Sequence, residues 1–244
     1  MHNVGIIVRR ELASYFVTPL AYVFIVIFLV LAGAFTFYLG SFYERNQADL
    51  APLFNFLPWL FLFLIPAVSM RLWAEERGSG SIELLMSLPV ALWQAVVGKF
   101  LAAWAFAGIA LALTFPIWIT AAYLGDPDNG AILAAYIGAL LMAGGFLAIG
   151  TCMSAVTRNQ VIAFILAAVV CFLFLLSAFP MVLDFFASFL PRAIVDAIAG
   201  FSFLTRFDAI SKGVLDVRDV LYFLLLMLFW LIATAIVLDM KKAD

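Results

Sequence analysis

Four stretches of this chain, residues 100–123, 131–156, 161–183 and 220–238, contain no Asp, Glu, Lys, Arg or His. Each is about as long as the ~20 apolar residues that a helix needs to cross a hydrocarbon core of ~30 Å. Two further runs, Leu20–Phe42 and Pro52–Met70, are equally free of ionisable groups. Lipid offers no partners to a backbone N–H or C=O, so runs of this kind close their own hydrogen bonds as helices. The composition agrees: 67% of the 244 residues are hydrophobic and 11% charged, against roughly 25% charged in soluble domains. The expectation is an all-α, polytopic membrane protein with six transmembrane helices, forming one domain over residues 1–244.

The same emptiness excludes functions. Intramembrane charges mark proton relays and ion pathways because they are costly to bury, and these spans offer none. A proton-coupled carrier and a voltage-gated channel are therefore disfavoured. The single histidine, His2, lies at the start of the chain, so histidine-based catalysis or metal binding inside the membrane is not expected. Gly78-Ser-Gly-Ser81 has the look of a nucleophile turn, but no histidine is present to activate a serine. Gly98-Lys99 fails as a phosphate loop, because Trp93 stands where a glycine is required and Phe100 follows the lysine. Cys152 and Cys171 both fall in apolar runs and read as packing residues. A net charge of −2 gives no basis for binding nucleic acid. The chain is read as no enzyme, with no cofactor or metal site of its own.

Between the runs, residues 4–16 place Val4, Val8, Leu12, Tyr15 and Phe16 on one helical face and Arg9, Arg10 and Ser14 elsewhere, the pattern of an interfacial amphipathic helix. Arg9, Arg10 and Glu11 in mid-segment also argue against a cleavable leader. Residues 184–219 mix charge with apolar pieces too short to span, Phe185–Leu190 and Ala193–Phe203, and pieces of that length suggest re-entrant or interfacial helices. Basic residues set the orientation. With the N-terminus inside, Arg9, Arg10, Arg71, Arg77, Lys99, Arg158, Lys241 and Lys242 are cytoplasmic, while the short outer loops hold Arg45. Both termini are then cytoplasmic.

That orientation brings a polar island, Arg71 to Glu83, to the cytoplasmic side. It carries Arg71, Glu75, Glu76, Arg77 and Glu83 between two spans, and it cannot lie in hydrocarbon. Gly78 and Gly80 permit a sharp reversal. Ile82, Leu84, Leu85, Met86 and Leu88 then make a short helix with exposed apolar residues, ended near Ser87-Leu-Pro89. Such a helix either docks in a groove of another protein or lies among the headgroups. Physical chemistry alone leaves both open.

The run Glu75-Glu-Arg77, Gly80-Ser-Ile-Glu83-Leu-Leu85, Leu88-Pro89 and Gly98-Lys99 resembles the signature of ABC-2 type permeases. The opening Arg10-Glu-Leu-Ala-Ser-Tyr-Phe-Val-Thr-Pro-Leu-Ala-Tyr-Val-Phe24 and the late Gly213-Val-Leu-Asp-Val-Arg-Asp-Val-Leu-Tyr-Phe223 resemble the gliding-motility branch of that family, and permeases of nitrous-oxide-reductase maturation are close in pattern. Ser81 stands where threonine is more usual.

The resemblance implies a permease subunit of an ATP-binding-cassette exporter in a bacterial cytoplasmic (inner) membrane. Residues 1–19 would be its connecting helix, with Arg9, Arg10 and Glu11 offering complementary charge to a hinge at Glu75, Glu76 and Arg77. Residues 184–219 would be an extracytoplasmic re-entrant pair before the last span, and residues 71–98 the coupling region. Within it, Gly80, Ser81, Glu83, Leu84, Leu85, Leu88 and Pro89 would meet a separate ATPase subunit, which would bind ATP and Mg. The implied assembly is a homodimer, or a heterodimer with a second permease, open to a periplasmic accessory subunit and bathed in membrane lipid. Two other classes use the same features: a non-transporting anchor that passes movement to an extracytoplasmic partner, and an assembly scaffold.

Overall fold

The computed structural model describes residues 2–45, 47–82, 90–177 and 179–241. Their regular structure is helical: α1 (His2–Val17), α2 (Pro19–Ala34) with a π-helical turn at Phe35–Leu39, α3 (Ala51–Ser69), α4 (Arg71–Ser79), α5 (Leu92–Ala112), α6 (Phe115–Leu124), α7 (Asn129–Val156), α8 (Gln160–Leu176), α9 (Pro180–Ala187), α10 (Arg192–Gly200), α11 (Phe203–Ser211) and α12 (Val217–Met240). Polar side chains set several of the starts by accepting orphan backbone N–H groups. Asp128 accepts from Gly130 and Ala131, Asn159 from Val161 and Ile162, Ser202 from Leu204, and Asp216 from Arg218.

Around α7 assemble the spans of α3, α5, α8 and α12. Phe146, Leu147, Ile149 and Gly150 are all buried along α7, and α3 meets it at Gly150. A Cβ built on Gly150 would sit 1.9 Å from the Ser69 hydroxyl, so only glycine lets α3 approach this closely. Trp104 of α5 donates its indole N–H to the Leu140 carbonyl of α7 at 2.8 Å. Without a hydrophobic drive between helices in lipid, small residues and interhelical hydrogen bonds of this kind hold a bundle together.

Among the described residues, five helical segments are long and apolar enough to cross, 21–39, 51–79, 92–124, 129–156 and 217–240, and the structure departs from the six expected runs in three ways. The fifth run, expected as one helix over 161–183, instead bends by 78° between α8 and α9, because Pro180 starts a new helix at its first turn. α8 still crosses. It begins beside the end of α7, whereas Gly213, just before α12, packs on Ala131 at the opposite end, ~38 Å away along α7 at 1.5 Å per residue. Second, the first span ends in a π turn, with Gly40 N–H bonded to the Phe35 carbonyl at 2.7 Å. Third, the third span begins at Leu92, well before Lys99, and breaks at Thr114 ahead of Pro116.

The connection 184–219, expected as a re-entrant pair, forms the end of α9 and two further short helices. α11 is packed into the bundle through Phe203, Phe207 and Ile210. An ion pair between Arg206 and the buried Asp219, 2.9 Å, ties it to α12.

Replacing Gly150 by Ala forces α3 and α7 apart and is expected to cost about 1–3 kcal/mol. The thermal midpoint of the purified chain in detergent measures it. Ser69→Ala in the same background should recover part of the loss by removing the clashing hydroxyl.

Candidate functional site

The residues singled out in the sequence converge where α1, α4 and α5 meet. α1 is amphipathic as expected: Val4, Val8, Leu12, Tyr15 and Phe16 turn inward, while Arg9, Arg10 and Ser14 are exposed. Gly98 admits it against α5, since a Cβ there would lie 2.6 Å from Ile7. Tyr15 stacks on Phe106 of α5 at 5.0 Å. Burial, and secondly the Glu11 carboxylate, push the Tyr15 phenol pKa up, so it stays neutral.

α4 extends α3 out of the apolar zone, which puts Glu75, Glu76 and Arg77 on a helical arm as the island suggests. The arm ends at Gly80, whose φ of +76° is the left-handed cap that glycine adopts without steric cost. Ser81 and Ile82 follow in helical conformation, with the Ser81 hydroxyl 2.9 Å from that of Ser79. Glu83, Leu84, Leu85, Leu88 and Pro89 lie outside the described residues.

Two sets of contacts fasten the arm. On α7, the Ser154 hydroxyl accepts the N–H groups of Trp73 and Ala74, each at 3.0 Å, and donates to the Met70 carbonyl at 2.8 Å. Arg77 donates to the Ala155 carbonyl at 2.6 Å. On the other side stands Lys99 of α5, only 4% exposed. Its ammonium lies 2.7 Å from Glu76 and 3.5 Å from Glu11, and 5.3 Å from the centre of the buried Trp73 ring, within cation–π range. One lysine thus joins the interfacial helix, the arm and the third span.

The expected direct pairing between the hinge and Arg9, Arg10 and Glu11 takes this mediated form. Arg10 pairs with its neighbour Glu11 at 2.6 Å, Arg9 is exposed, and the link to Glu76 runs through Lys99. Glu75 turns away to Arg71, whose guanidinium grips it at 2.8 and 3.2 Å. That hydrogen bond holds the Glu75 carboxyl below the usual carboxylate range. Exposed i, i+4 pairs contribute only about 0.3–0.5 kcal/mol.

Lys99 and Ser154 were not assigned roles from the sequence. Lys99 did carry a signal: with α5 starting at Leu92, it is a cation inside an apolar helix, and such a cation needs a partner. Glu11 likewise falls one turn from both Ile7 and Tyr15, on the apolar stripe. Ser154 had no distinguishing neighbour.

The turn after α7 lies at the same place. A Cβ on Gly78 would be 3.0 Å from the Arg158 carbonyl, and Lys241 at the end of α12 donates to the Val156 carbonyl. The interfacial helix, the arm, the α7–α8 turn and the end of α12 therefore share one end of the bundle.

A bundle of membrane-crossing helices, with a charged helical arm fixed at one end, defines a multi-pass membrane protein. The family model described as ABC-2 family transporter protein matches residues 6–238, and the chain belongs to that family. It is accordingly a membrane permease component of an ABC transporter, a family that associates with an ABC ATPase subunit. Comparison with curated proteins finds no match.

Changing Lys99 to Ala would leave the partly buried Glu76 without its cation and Glu11 with Arg10 alone, at a cost of about 3 kcal/mol. The triple change Glu11→Gln, Lys99→Met, Glu76→Gln should recover most of it. Thermal unfolding of the three proteins in one detergent checks both halves.

Proposed function

We propose that this chain is the membrane subunit of an ATP-driven exporter of the gliding-motility branch, seated in a bacterial inner membrane with both termini cytoplasmic. Its ATPase partner binds ATP and Mg and docks on the segment that follows Gly80, including Glu83, Leu84, Leu85, Leu88 and Pro89. Two membrane subunits work together, as a homodimer or with a second permease, so that closure of the paired ATPases pushes both arms at once. A periplasmic accessory subunit is compatible with the helices at the opposite end.

The observation that carries this reading is Lys99 holding Glu76 and Glu11 together while Ser154 holds the root of the same arm. Force on the arm then reaches α5 and α7 through short, charge-assisted or buried hydrogen bonds, which give little before the helices move, and α1 through the longer 3.5 Å ion pair of Lys99 with Glu11. Coupling of this kind is a two-state element biased by a partner. Clustering of the arm with the α7–α8 turn and the end of α12 at one end supports the assigned orientation.

A mild-detergent pull-down of the tagged chain from native membranes should recover a soluble ATPase in near-equimolar amount. Combining Glu83→Ala with Leu85→Ala should abolish its recovery. The Glu11→Gln, Lys99→Met, Glu76→Gln protein should still bind the ATPase yet fail to move. Spin labels at the exposed positions 43 and 214 would then show no change in separation when ATP is added with vanadate. A chain recovered without an ATPase would sink the reading.

A further inference from the structure

Of the described side chains between Phe179 and Phe201, not one is buried, although the stretch is mostly apolar. It forms a helical hairpin, α9 and α10 packed on each other, at the end of the bundle away from the arm. Met181, Phe185 and Phe189 follow one another at one-turn spacing and are 86%, 63% and 76% exposed. The rings of Phe185 and Phe189 meet at 5.6 Å, so the three make one stripe, with Asp184 and Ser188 running beside it. On α10, Arg192 and Asp196 share one face, and Ile194 and Ile198 lie on the opposite one. A contiguous exposed apolar surface of this kind marks a contact with something outside the fold.

The roots of the hairpin set its depth. α8 runs 17 residues from the arm side, about 26 Å at 1.5 Å per residue, and so ends inside a hydrocarbon core of ~30 Å. Just beyond it, the Phe179 ring packs edge-on against Trp59 at 6.2 Å. Trp59 lies eight residues into α3 from Ala51, about 12 Å below the far end of that helix. At the other root, the Tyr222 hydroxyl donates to the Phe201 carbonyl at 2.5 Å. Tyr222 lies five residues into α12 from Val217, about 7.5 Å below its far end. Between these points α9 turns 78° away from α8. Over its eight residues it therefore climbs only about 2.5 Å along the direction of α8.

We propose that the α9–α10 hairpin is embedded in the leaflet away from the arm, with Met181, Phe185 and Phe189 set among acyl chains and Asp184, Ser188, Arg192 and Asp196 turned to the headgroups. The partner of the stripe is thus the lipid surface itself, met as an interfacial amphipathic helix meets it. Both roots lie below the ends of the crossing helices, so a protein in the water outside could reach the stripe only by entering the leaflet. The last turns of α8, from which the hairpin springs, expose Val169, Phe172 and Leu173 at the same depth, and one apolar solvent covers both. The hairpin also completes the short α8, filling the leaflet where that helix stops. It requires a membrane but neither ATPase nor cargo, so it stands apart from the transporter reading.

The test is site-directed spin labelling of the full chain, reconstituted alone in vesicles of phosphatidylethanolamine and phosphatidylglycerol. The native Cys152 and Cys171 are buried and stay unlabelled. Labels introduced by Phe185→Cys and Phe189→Cys, read separately, should collide freely with oxygen and be shielded from a water-soluble nickel chelate. Their depth should be about 5–10 Å below the phosphates, and a label from Asp184→Cys should lie nearer the headgroups. Neither phenylalanine is buried, so both variants should keep the thermal midpoint of the parent. Labels at 185 and 189 open to the nickel chelate would put the hairpin in water and overturn the proposal. Labels shielded from both reagents would place the stripe under a second copy of the chain and overturn it equally. A label at 184 as deep as that at 185 would also overturn it, because the hairpin would then not lie at the interface with its polar side up.

Discussion

The contact between α3 and α7 governs the rest of the structure. In lipid there is no hydrophobic drive to bring helices together, so close packing must supply the attraction. Gly150 supplies it by omitting a side chain where the Ser69 hydroxyl arrives. Because α4 continues out of α3, that approach also sets where the arm leaves the bundle. Ser154, about one turn beyond Gly150 on α7, then meets the arm's first N–H groups. Packing and arm geometry are one arrangement, propagated along one helix.

Lys99 adds the second constraint. A lysine only 4% exposed is costly in an apolar bundle unless its partners come with it. Here the partners arrive on two different elements, Glu11 on α1 and Glu76 on α4. Apolar packing also holds both elements, α1 through Leu12, Tyr15 and Phe16 against Phe106 and α4 through the buried Leu72, Trp73 and Ala74. The ion pairs add the polar link that joins the two pieces to each other across Lys99.

Much of this was legible in the chain. The spans follow from runs that exclude every ionisable residue, and the interfacial helix from the stripe Val4, Val8, Leu12, Tyr15 and Phe16. The arm follows from charges that lipid could not accept, and its end from the conformational freedom of Gly80. The misreadings share a cause. Periodicity and hydropathy treat a run as uniform, so the fifth run was expected to be straight through Pro180, and the third span was expected to begin after Lys99. In the structure a proline restarts one helix, and a lysine is carried inside another because two carboxylates meet it there.

Composition and pattern alone determined that the chain is helical, crosses a membrane repeatedly and presents a charged segment at one end, because each of these is a local contest between a side chain and its solvent. Only the tertiary structure decided which charges meet. Glu11, Glu76 and Lys99 are far apart in sequence, and nothing in the spacing of one pairs it with another. Their union depends on α1 crossing α5 at Gly98 and on the α3–α7 approach that aims the arm back at the same lysine.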